Sequence, residues 1–295
     1  MSCPWTTVWL ARILLAAVMV KPAPPAVVVV TESGVPAYGD AMEGLIAGLG
    51  ANAGRIVDVR AATASADLAH ALEARDTRLV VAVGSRALAE LQARKTGLPV
   101  VATMVLRGPQ PDGAGQVDLD VPLGAQLAAV RAMLPWAQRV GIIRNPARSR
   151  YAADALESQG RKEGYTLAVA DCDGPGRLLK VVASLRGKVD FLLCFPDPDL
   201  YNAVTIQPLV LAAIEYRLPI VGFSPGFVRA GAAAAVYADY RALGRQTAEM
   251  ALRLYRGEAS GGEEFPARLQ VAVNQRVTRL LGLDLKIPAC AEIFR

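Results

Sequence analysis

The sequence predicts an α/β protein built from two doubly wound, Rossmann-like parallel sheets, and three observations support this prediction. Short runs of β-branched and apolar residues alternate with helix-length amphipathic segments along most of the chain. The apolar runs are continuous, which is typical of parallel strands that helices cover on both faces. A chain of 295 residues also exceeds the usual length of one domain, so we expect two domains that share an interface.

The first predicted unit follows residue 25 and begins with the run VVVVT. Each apolar run leads through a turn into a segment with helical spacing, as at Ala41, Leu45 and Leu49. Gly50 is typical of a helix end, and Ser65 is typical of a helix start. The predicted strands are 27–31, 55–61, 78–84 and 98–105, and the predicted helices are 38–50, 65–76 and 85–95.

A second unit of the same kind follows the turn-rich segment 107–116, which has no hydrophobic periodicity and is a candidate connection. This unit opens with a predicted helix at 123–134 and closes with a strand and a short helix within 267–283. Between them the predicted strands are 139–145, 166–173, 189–195, 218–224 and 231–237, and the predicted helices are 151–164, 176–188, 201–217 and 241–258.

Residues 1–25 are predicted to be a secretory signal peptide. Arg12 precedes the short apolar run ILLAAVMV, and a segment rich in proline and alanine follows it. The run is too short to span a bilayer, which takes roughly 20 residues. The alternative is an N-terminal tail that stays in the cytoplasm.

Composition and motifs argue against several classes of function. The net charge of +5 is modest and basic residues are not interleaved with aromatic ones, so we expect no nucleic-acid partner. Neither GxGxxG after the first strand nor GxxxxGKS/T occurs, which argues against a dinucleotide cofactor and a P-loop. The single histidine, His70, lies within a predicted helix, and no CxxC pair is present. We therefore predict no catalytic residues, no cofactor and no metal site.

Polar and aromatic side chains collect at the predicted strand ends, where ligands bind in sheets of this kind. The segment FPDPDLYN at 195–202 is the richest of these loops. Asp197 and Asp199 could contact a ligand, or they could end the strand and cap the following helix. Arginines near the loops could hold an anionic group or could be solvated, and these are Arg86, Arg148 and Arg150.

The second half resembles the ABC transporter substrate-binding proteins of the tryptophan-binding-like group. The segments that carry this resemblance are MLPWAQRVGIIRNP, GKVDFLLCFPDPDLYNAV, LPIVGFSPGFVRAGAAAAVYADYRALGRQTAEMA and VNQRVTRLLGLDLKIP. It covers nearly the whole chain after Ala26 and is most specific over 231–251. The resemblance implies the type I periplasmic-binding-protein fold, a clamshell of two lobes that closes on a small ligand by hinge motion.

The resemblance also implies where the lobes divide. We expect an N-terminal lobe of residues 26–120 plus 240–264 and a C-terminal lobe of 121–239 plus 265–295. Three chain crossings would then join the lobes, and the helix after Tyr240 would return to the first lobe.

The match to the family's cleft residues is partial. Ser85 and Asn145 correspond to a hydroxyl and to an NP loop of the family, and the family's acidic residue falls at Asp197 to Asp199. Two positions depart from the pattern. Ser224 stands where many relatives carry an acidic residue, and Leu106 begins a turn that contains an acidic residue in most relatives. Both departures remove negative charge from the expected cleft.

The leading hypothesis is a periplasmic solute-binding protein, and not an enzyme. It would bind a small organic solute, amino-acid-like or other, and as a monomer present it to the permease of an ABC transporter. The expected polar contacts are Ser33, Ser85, Thr103, Asn145, Asp197, Tyr201, Asn202 and Ser224, and the expected apolar or stacking contacts are Tyr38, Met104 and Phe223.

Two alternatives stay open from the sequence. A periplasmic sensor with the same fold would pass its ligand state to a membrane receptor or kinase. An α/β enzyme could instead use the loop with Asp197 and Asp199 to hold a metal ion.

Overall fold

The computed structural model describes residues 26–61, 64–106, 115–149, 151–258 and 261–295. The predicted signal peptide at 1–25, Arg150 and most of the predicted connection lie outside these residues. Among the residues described, no helix has the length and apolar character needed to cross a membrane.

Strands and helices alternate through the described residues. The strands are β1 (Ala26–Thr31), β2 (Ala53–Asp58), β3 (Thr77–Val83), β4 (Val100–Thr103), β5 (Gly115–Val117), β6 (Arg139–Arg144), β7 (Thr166–Asp171), β8 (Phe191–Leu193), β9 (Ile220–Gly222), β10 (Ala234–Ala238), β11 (Glu263–Glu264), β12 (Leu269–Asn274) and β13 (Glu292–Phe294). The α-helices are α1 (Pro36–Leu49), α2 (Ala64–Glu73), α3 (Ser85–Arg94), α4 (Leu123–Met133), α5 (Ala153–Lys162), α6 (Leu178–Leu185), α7 (Ile206–Glu215), α8 (Pro225–Arg229), α9 (Tyr240–Tyr255) and α10 (Gln275–Leu281).

The strands form two sheets. The first has the order β11-β5-β4-β3-β1-β2, and its strand pairs are parallel. The second has the order β13-β12-β10-β9-β8-β6-β7, in which β12 runs antiparallel to β10 and the other pairs are parallel. These two parallel-dominated sheets with interleaved helices confirm the predicted fold class.

Both faces of the sheets are buried. In β1, Val27 and Val29 join the core beneath α1 and α9, whereas Val28 and Val30 join the core beneath α2 and α3. Cys194, which follows β8, is buried in the core of the second sheet as a small apolar side chain. Burial on both faces explains why the strands appear in the sequence as unbroken apolar runs.

Three connections join the two sheets. The chain leaves the first sheet after β5, returns to it after β10, and crosses again between β11 and β12. We call the part of the chain that holds the first sheet and α9 the first lobe, and the part that holds the second sheet the second lobe. The predicted boundaries at 120/121, 239/240 and 264/265 each fall within one of these connections and remain predictions.

Candidate functional site

Two adjoining cavities lie where segments of both lobes meet. The strand-end cavity, of about 240 Å³, is lined by Leu106 and Asp120 and by the segments that follow β6 and β8. The hinge cavity, of about 160 Å³, lies beside the connections that follow β5 and β10. Leu106, Asp120 and Pro196 line both cavities, so the two adjoin at these residues.

A larger groove, of about 720 Å³, extends from the hinge cavity along the starts of α1, α8 and α9. Ser224, Tyr237 and Tyr240 line both the groove and the hinge cavity. We call the two cavities and this groove together the cleft. It therefore lies beyond the carboxyl ends of strands in both sheets, where the sequence predicts a ligand.

Two arginines on one side of the strand-end cavity are held by acidic residues. Arg144 donates from Nε to Asp171 Oδ1 at 2.7 Å and from Nη1 to the carbonyl of Tyr151 at 2.7 Å. Arg148 Nε lies 3.0 Å from Asp199 Oδ2. These pairs fix both guanidinium groups against the second lobe and offset their positive charge.

The hinge cavity combines buried polar groups with an apolar wall. Asp120 and Gln126 are 6 % and 2 % exposed, respectively, and both line this cavity. The Oε1 atom of Gln126 is buried and has no hydrogen-bond partner among the described residues. The apolar part of the lining comprises Leu106, Leu119, Val121, Pro196, Phe223, Val236 and Ala238. The cavity can thus receive a ligand group that donates hydrogen bonds on one side and is apolar on the other.

Three of the eleven predicted contact residues line the cleft, namely Asp197, Phe223 and Ser224. Asp197 Oδ1 accepts hydrogen bonds from the backbone N–H groups of Asp199 (3.0 Å) and Leu200 (3.2 Å), so one of its oxygens closes the loop. Ser224 Oγ accepts from the N–H of Phe227 at 3.4 Å and caps α8. Asp197 therefore stabilises the turn after β8 and does not cap α7, which begins at Ile206, while Asp199 forms an ion pair with Arg148.

Asn145 shapes the loop that brings Arg148 and Ser149 to the strand-end cavity. Its Oδ1 accepts from the N–H of Ala147 at 3.1 Å, and its carbonyl accepts from the N–H groups of Arg148 and Ser149. Asn145 is buried and is not among the lining residues of the cleft. The structure thus places it one layer behind the predicted contact position.

Five predicted residues of the first lobe do not line the cleft, namely Ser33, Tyr38, Ser85, Thr103 and Met104. Thr103 and Met104 are buried, whereas Ser33 and Ser85 are exposed. The ring of Tyr38 packs over the backbone of Gly84, and burial together with nearby Glu32 raises the pKa of its hydroxyl. These five residues therefore stay predicted contacts that the present lobe arrangement does not bring to the cavities.

Tyr201 and Asn202 have structural roles that differ both from ligand contact and from the first turn of a helix, which are the two roles that the sequence predicts for them. Tyr201 is buried beside Phe223 and Phe227, and its hydroxyl donates to the carbonyl of Ile143 at 3.2 Å. Burial raises the pKa of this hydroxyl well above its usual range. The side chain therefore belongs to the core, because the turn after 199 directs it inward.

The predicted helix at 201–217 begins later than expected, and Asn202 explains the difference. Its Oδ1 accepts from the N–H groups of Val204 (3.0 Å) and Thr205 (3.2 Å), and its Nδ2 donates to the carbonyl of Pro198 at 3.0 Å. These bonds form a turn, and α7 begins only at Ile206. The amide is thus used within the loop and does not face the cleft.

We expect Tyr201→Phe to lower the free energy of unfolding by about 1 to 2 kcal/mol, because it leaves the buried carbonyl of Ile143 without its donor. Urea unfolding measures this loss. Tyr255→Phe, at an exposed position on α9, is the matched control and should be neutral. A Tyr201→Phe variant of full stability would contradict the core role.

Metal ligation finds no support in this part of the chain. Within the ranges that the structure describes, no group of three or more His, Cys, Asp or Glu side chains could hold a metal ion. Asp197 and Asp199 instead make the turn and the ion pair given above.

Sequence reasoning did not single out Asp120 or Gln126 as contacts. Asp120 lies in the connection between β5 and α4, and Gln126 lies in the first turn of α4. Neither follows a strand that the sequence predicts, because β5 has only three residues and overlaps the turn-rich segment 107–116. Asp120 could have been predicted as a contact from its position, because it is an acidic residue at an expected chain crossing and the crossings border the cleft.

Comparisons with known proteins agree with this geometry. The family model described as ABC transporter substrate binding protein matches residues 26–285. A tyrosine-binding protein of Clostridioides difficile (strain R20291) is 28 % identical over 167 residues, which are 55 % of this chain and 48 % of that protein. The chain therefore spans about half the length of this curated relative.

Solved structures show the same fold. The ligand-free, open structure of a substrate binding protein with adhesive properties from Clostridium difficile has a TM-score of 0.72 and 19 % identity, covering 92 % of this chain and 99 % of its own. An ABC domain from Streptococcus pneumoniae in complex with L-Trp has a TM-score of 0.59 and 18 % identity, covering 91 % and 99 %.

Proposed function

This chain belongs to the ABC transporter substrate-binding protein family, and we propose that it is an extracytoplasmic solute-binding protein. It closes its two lobes on a small organic ligand and presents that ligand to the permease of an ABC transporter. Residues 1–25 direct its export to the periplasm, where it acts as a monomer and without catalysis of its own.

The position of the two cavities is the observation that carries this proposal. Asp120 and Leu106 belong to segments that follow first-sheet strands, whereas Phe195, Pro196 and Phe223 follow second-sheet strands. A ligand in these cavities would touch both lobes at once. It would then favour the closed arrangement by the difference in its affinity for the closed and open forms.

The cavity volumes support a small ligand. The cavities of about 240 and 160 Å³ adjoin each other, and together they offer space of the size that takes a small molecule. The rings of Tyr151 and Phe195 lie 6.2 Å apart beside the strand-end cavity and supply aromatic surface. Since the relatives include a tyrosine-binding protein and an L-Trp complex, an amino-acid-like solute is the first candidate.

A thermal-shift panel of amino acids, amines, organic acids, sugars and nucleosides tests the proposal on purified protein without residues 1–25. A ligand at a hundred times its Kd should stabilise the folded protein by about 2.7 kcal/mol. Leu106→Trp should abolish the shift, because Leu106 lines both cavities and an indole would fill the space between them.

Leu280→Trp, at an exposed position on α10, is the matched control and should keep the shift. The proposal fails if no organic solute stabilises the protein, or if the shift is the same in Leu106→Trp. For a ligand that does bind, small-angle scattering should show a smaller radius of gyration, as lobe closure requires.

A further inference from the structure

The groove carries opposite charges on its two walls. Its first-lobe wall is the start of α1, which holds Asp40, and its second-lobe wall includes α8, which holds Arg229. Both side chains are exposed. Within the part of the chain that the structure describes, neither of them forms an ion pair. We call Asp40 and Arg229 the groove pair.

The other charged side chains that line the groove already have partners. They are Asp239, whose Oδ1 accepts from the N–H of Ala242 at 2.9 Å, Arg241, which forms an ion pair with a glutamate of α1, and Glu292, whose Oε2 accepts from the hydroxyl of Tyr237 at 3.0 Å. The groove pair is therefore what these residues leave open to a new partner.

Both members of the groove pair lie close to Tyr240, which stands at the start of α9 and lines the same groove. Burial raises the pKa of the Tyr240 hydroxyl to about 12, Arg229 acts to lower this pKa, and Glu292 and Asp40 act to raise it. The charges of Asp40 and Arg229 thus reach the same hydroxyl group from different lobes, although they do not form an ion pair with each other.

Each charge is attached to a rigid element of its own lobe. Asp40 lies in the second turn of α1, which packs along α9. The guanidinium of Arg229 lies 5.7 Å from the centre of the Phe294 ring in β13, a distance at which an aromatic face attracts a cation. The separation of the two charges therefore changes when the lobes move relative to each other.

Hinge closure narrows the groove. The groove begins beside the connection that follows β10 and extends between the starts of α1 and α8. Because both helices follow strand ends that face the cleft, closure brings their starts together. The volume of about 720 Å³ leaves room for this approach.

We propose that the carboxylate of Asp40 and the guanidinium of Arg229 form an ion pair across the groove when the lobes close, and that this pair stabilises the closed arrangement. We call it the interlobe ion pair. In the open groove both charges are solvated, whereas closure removes water from between them and strengthens their attraction. The proposal rests on the lobe closure proposed above, and it adds a contact that the protein makes with itself and not with the ligand.

Chemical cross-linking tests whether the two positions meet. Asp40→Cys/Arg229→Cys is made in protein without residues 1–25 that also carries Cys290→Ser, because Cys290 is exposed whereas Cys172 and Cys194 are buried. A bis-methanethiosulfonate reagent with a two-carbon spacer should join the two new thiols in the ligand-free protein. The cross-linked protein should have a smaller radius of gyration.

Ala47→Cys/Arg229→Cys is the matched control for cross-linking. Ala47 is exposed and lies about two turns further along α1, away from the groove. This variant should stay unlinked under the same conditions.

Charge exchange tests whether attraction between the two groups is the cause. Isothermal titration calorimetry with L-tryptophan and L-tyrosine as probes measures the Kd. Asp40→Lys and Arg229→Glu should each raise the Kd about threefold to tenfold, because each replaces an attraction by a repulsion. The double variant Asp40→Lys/Arg229→Glu should return it to within about twofold of the unchanged protein. NaCl at about 0.5 M should reduce the effect of each single variant.

Arg276→Glu is the matched control for the charge change. Arg276 is an exposed arginine on α10 and lines neither the groove nor the two cavities. Its replacement should leave the Kd unchanged.

Each outcome separates the interlobe ion pair from the solute-binding function. Failure of Asp40→Cys/Arg229→Cys to cross-link would overturn the ion pair and leave the function standing. So would a double variant that binds no better than the single ones, because Arg229 would then act on the ligand and not on Asp40. If neither probe binds the unchanged protein, the cross-link alone decides the ion pair. If no solute of the thermal-shift panel binds either, the solute-binding function fails.

Discussion

Gly244→Ala is expected to lower the free energy of unfolding by about 2 to 4 kcal/mol, although alanine is the better helix former. Gly244 lies in α9, the helix that returns to the first lobe and packs along α1. A Cβ atom at this position would overlap the backbone carbonyl of Ala41 and would lie 2.7 Å from the backbone nitrogen of Leu45.

The overlap cannot be relieved by rotating a side chain, because both obstructing groups belong to the backbone of α1. Gly44 in α1 meets the carbonyl of Arg241 in the same way, so the two helices touch backbone to backbone at this crossing. Alanine would gain about 1 kcal/mol of helix propensity, but separating two packed helices costs more than that.

Gly39→Ala is the matched control, since it makes the same change in α1, where no atom lies within 4 Å of the added Cβ. It should raise the free energy of unfolding by about 0.5 to 1 kcal/mol. Urea unfolding of both variants measures the contrast. Equal and positive effects at the two positions would show that propensity, and not the close approach of α1 and α9, controls Gly244.

The sequence predicts the long elements of this fold well because they carry many side chains with one periodicity. The runs before Thr31, Gly84 and Asn145 appear as strands, and the segments after them appear as helices. The short elements β5, β11, β13 and α8, of two to five residues, carry too little pattern to be recognised. The return of α9 to the first lobe follows from the family resemblance and not from periodicity.

The site is predicted only in part, and the reason differs from residue to residue. Phe223 and Ser224 are found because they follow a strand, which is a property of the sequence. Tyr201 follows a strand too, but its side chain packs in the core, where its hydroxyl donates to the carbonyl of Ile143. Asp120 and Gln126 reach the cavity through the connection between lobes, a relation that exists only once both sheets have formed.

The carboxylate of Asp118 is expected to make the protein lose stability as pH rises. Asp118 directly follows β5 and is 0 % exposed, and the side chain of Gln116 donates to its Oδ1. Glu263 in β11 pairs with Gln116 in β5. Because the side chain of Gln116 contacts that of Asp118, the side chains of Glu263 and Asp118 lie on the same face of the sheet. The carboxyl groups of buried Asp118 and half-buried Glu263 therefore lie side by side, and a single proton can bridge them.

The pKa of Asp118 follows from this environment. Burial, opposed by the hydrogen bond from Gln116 and reinforced by Glu263 and Asp120, raises it from its ordinary value of 3.8 to about 7. Between pH 4 and 7 the folded protein thus holds a proton that the unfolded chain has released.

A raised pKa gives stability that is fully present below pH 4 and is lost as pH rises through 7. For Asp118 this loss is on the order of 3 kcal/mol between pH 4 and 8. In Asp118→Asn the amide Nδ2 can donate to Glu263 at any pH, as the shared proton does, and Oδ1 can still accept from Gln116. We therefore expect this variant to match the unchanged protein near pH 4 and to exceed it in stability at pH 8.

Urea unfolding at pH 5, 6, 7 and 8 measures the difference, and Asp190→Asn is a control of opposite sign. Burial acts to raise the pKa of Asp190, but hydrogen bonds from Arg139 and Gln138 outweigh it and lower the pKa. Asp190→Asn should therefore destabilise the protein at pH 8 and lose its effect in acid. If Asp118→Asn gives no advantage at pH 8, the shared proton is absent and the pair is ionised in the folded protein. Because β5 and β11 adjoin two of the three connections between the lobes, the same measurement reports whether protonation stabilises the strands from which the hinge extends.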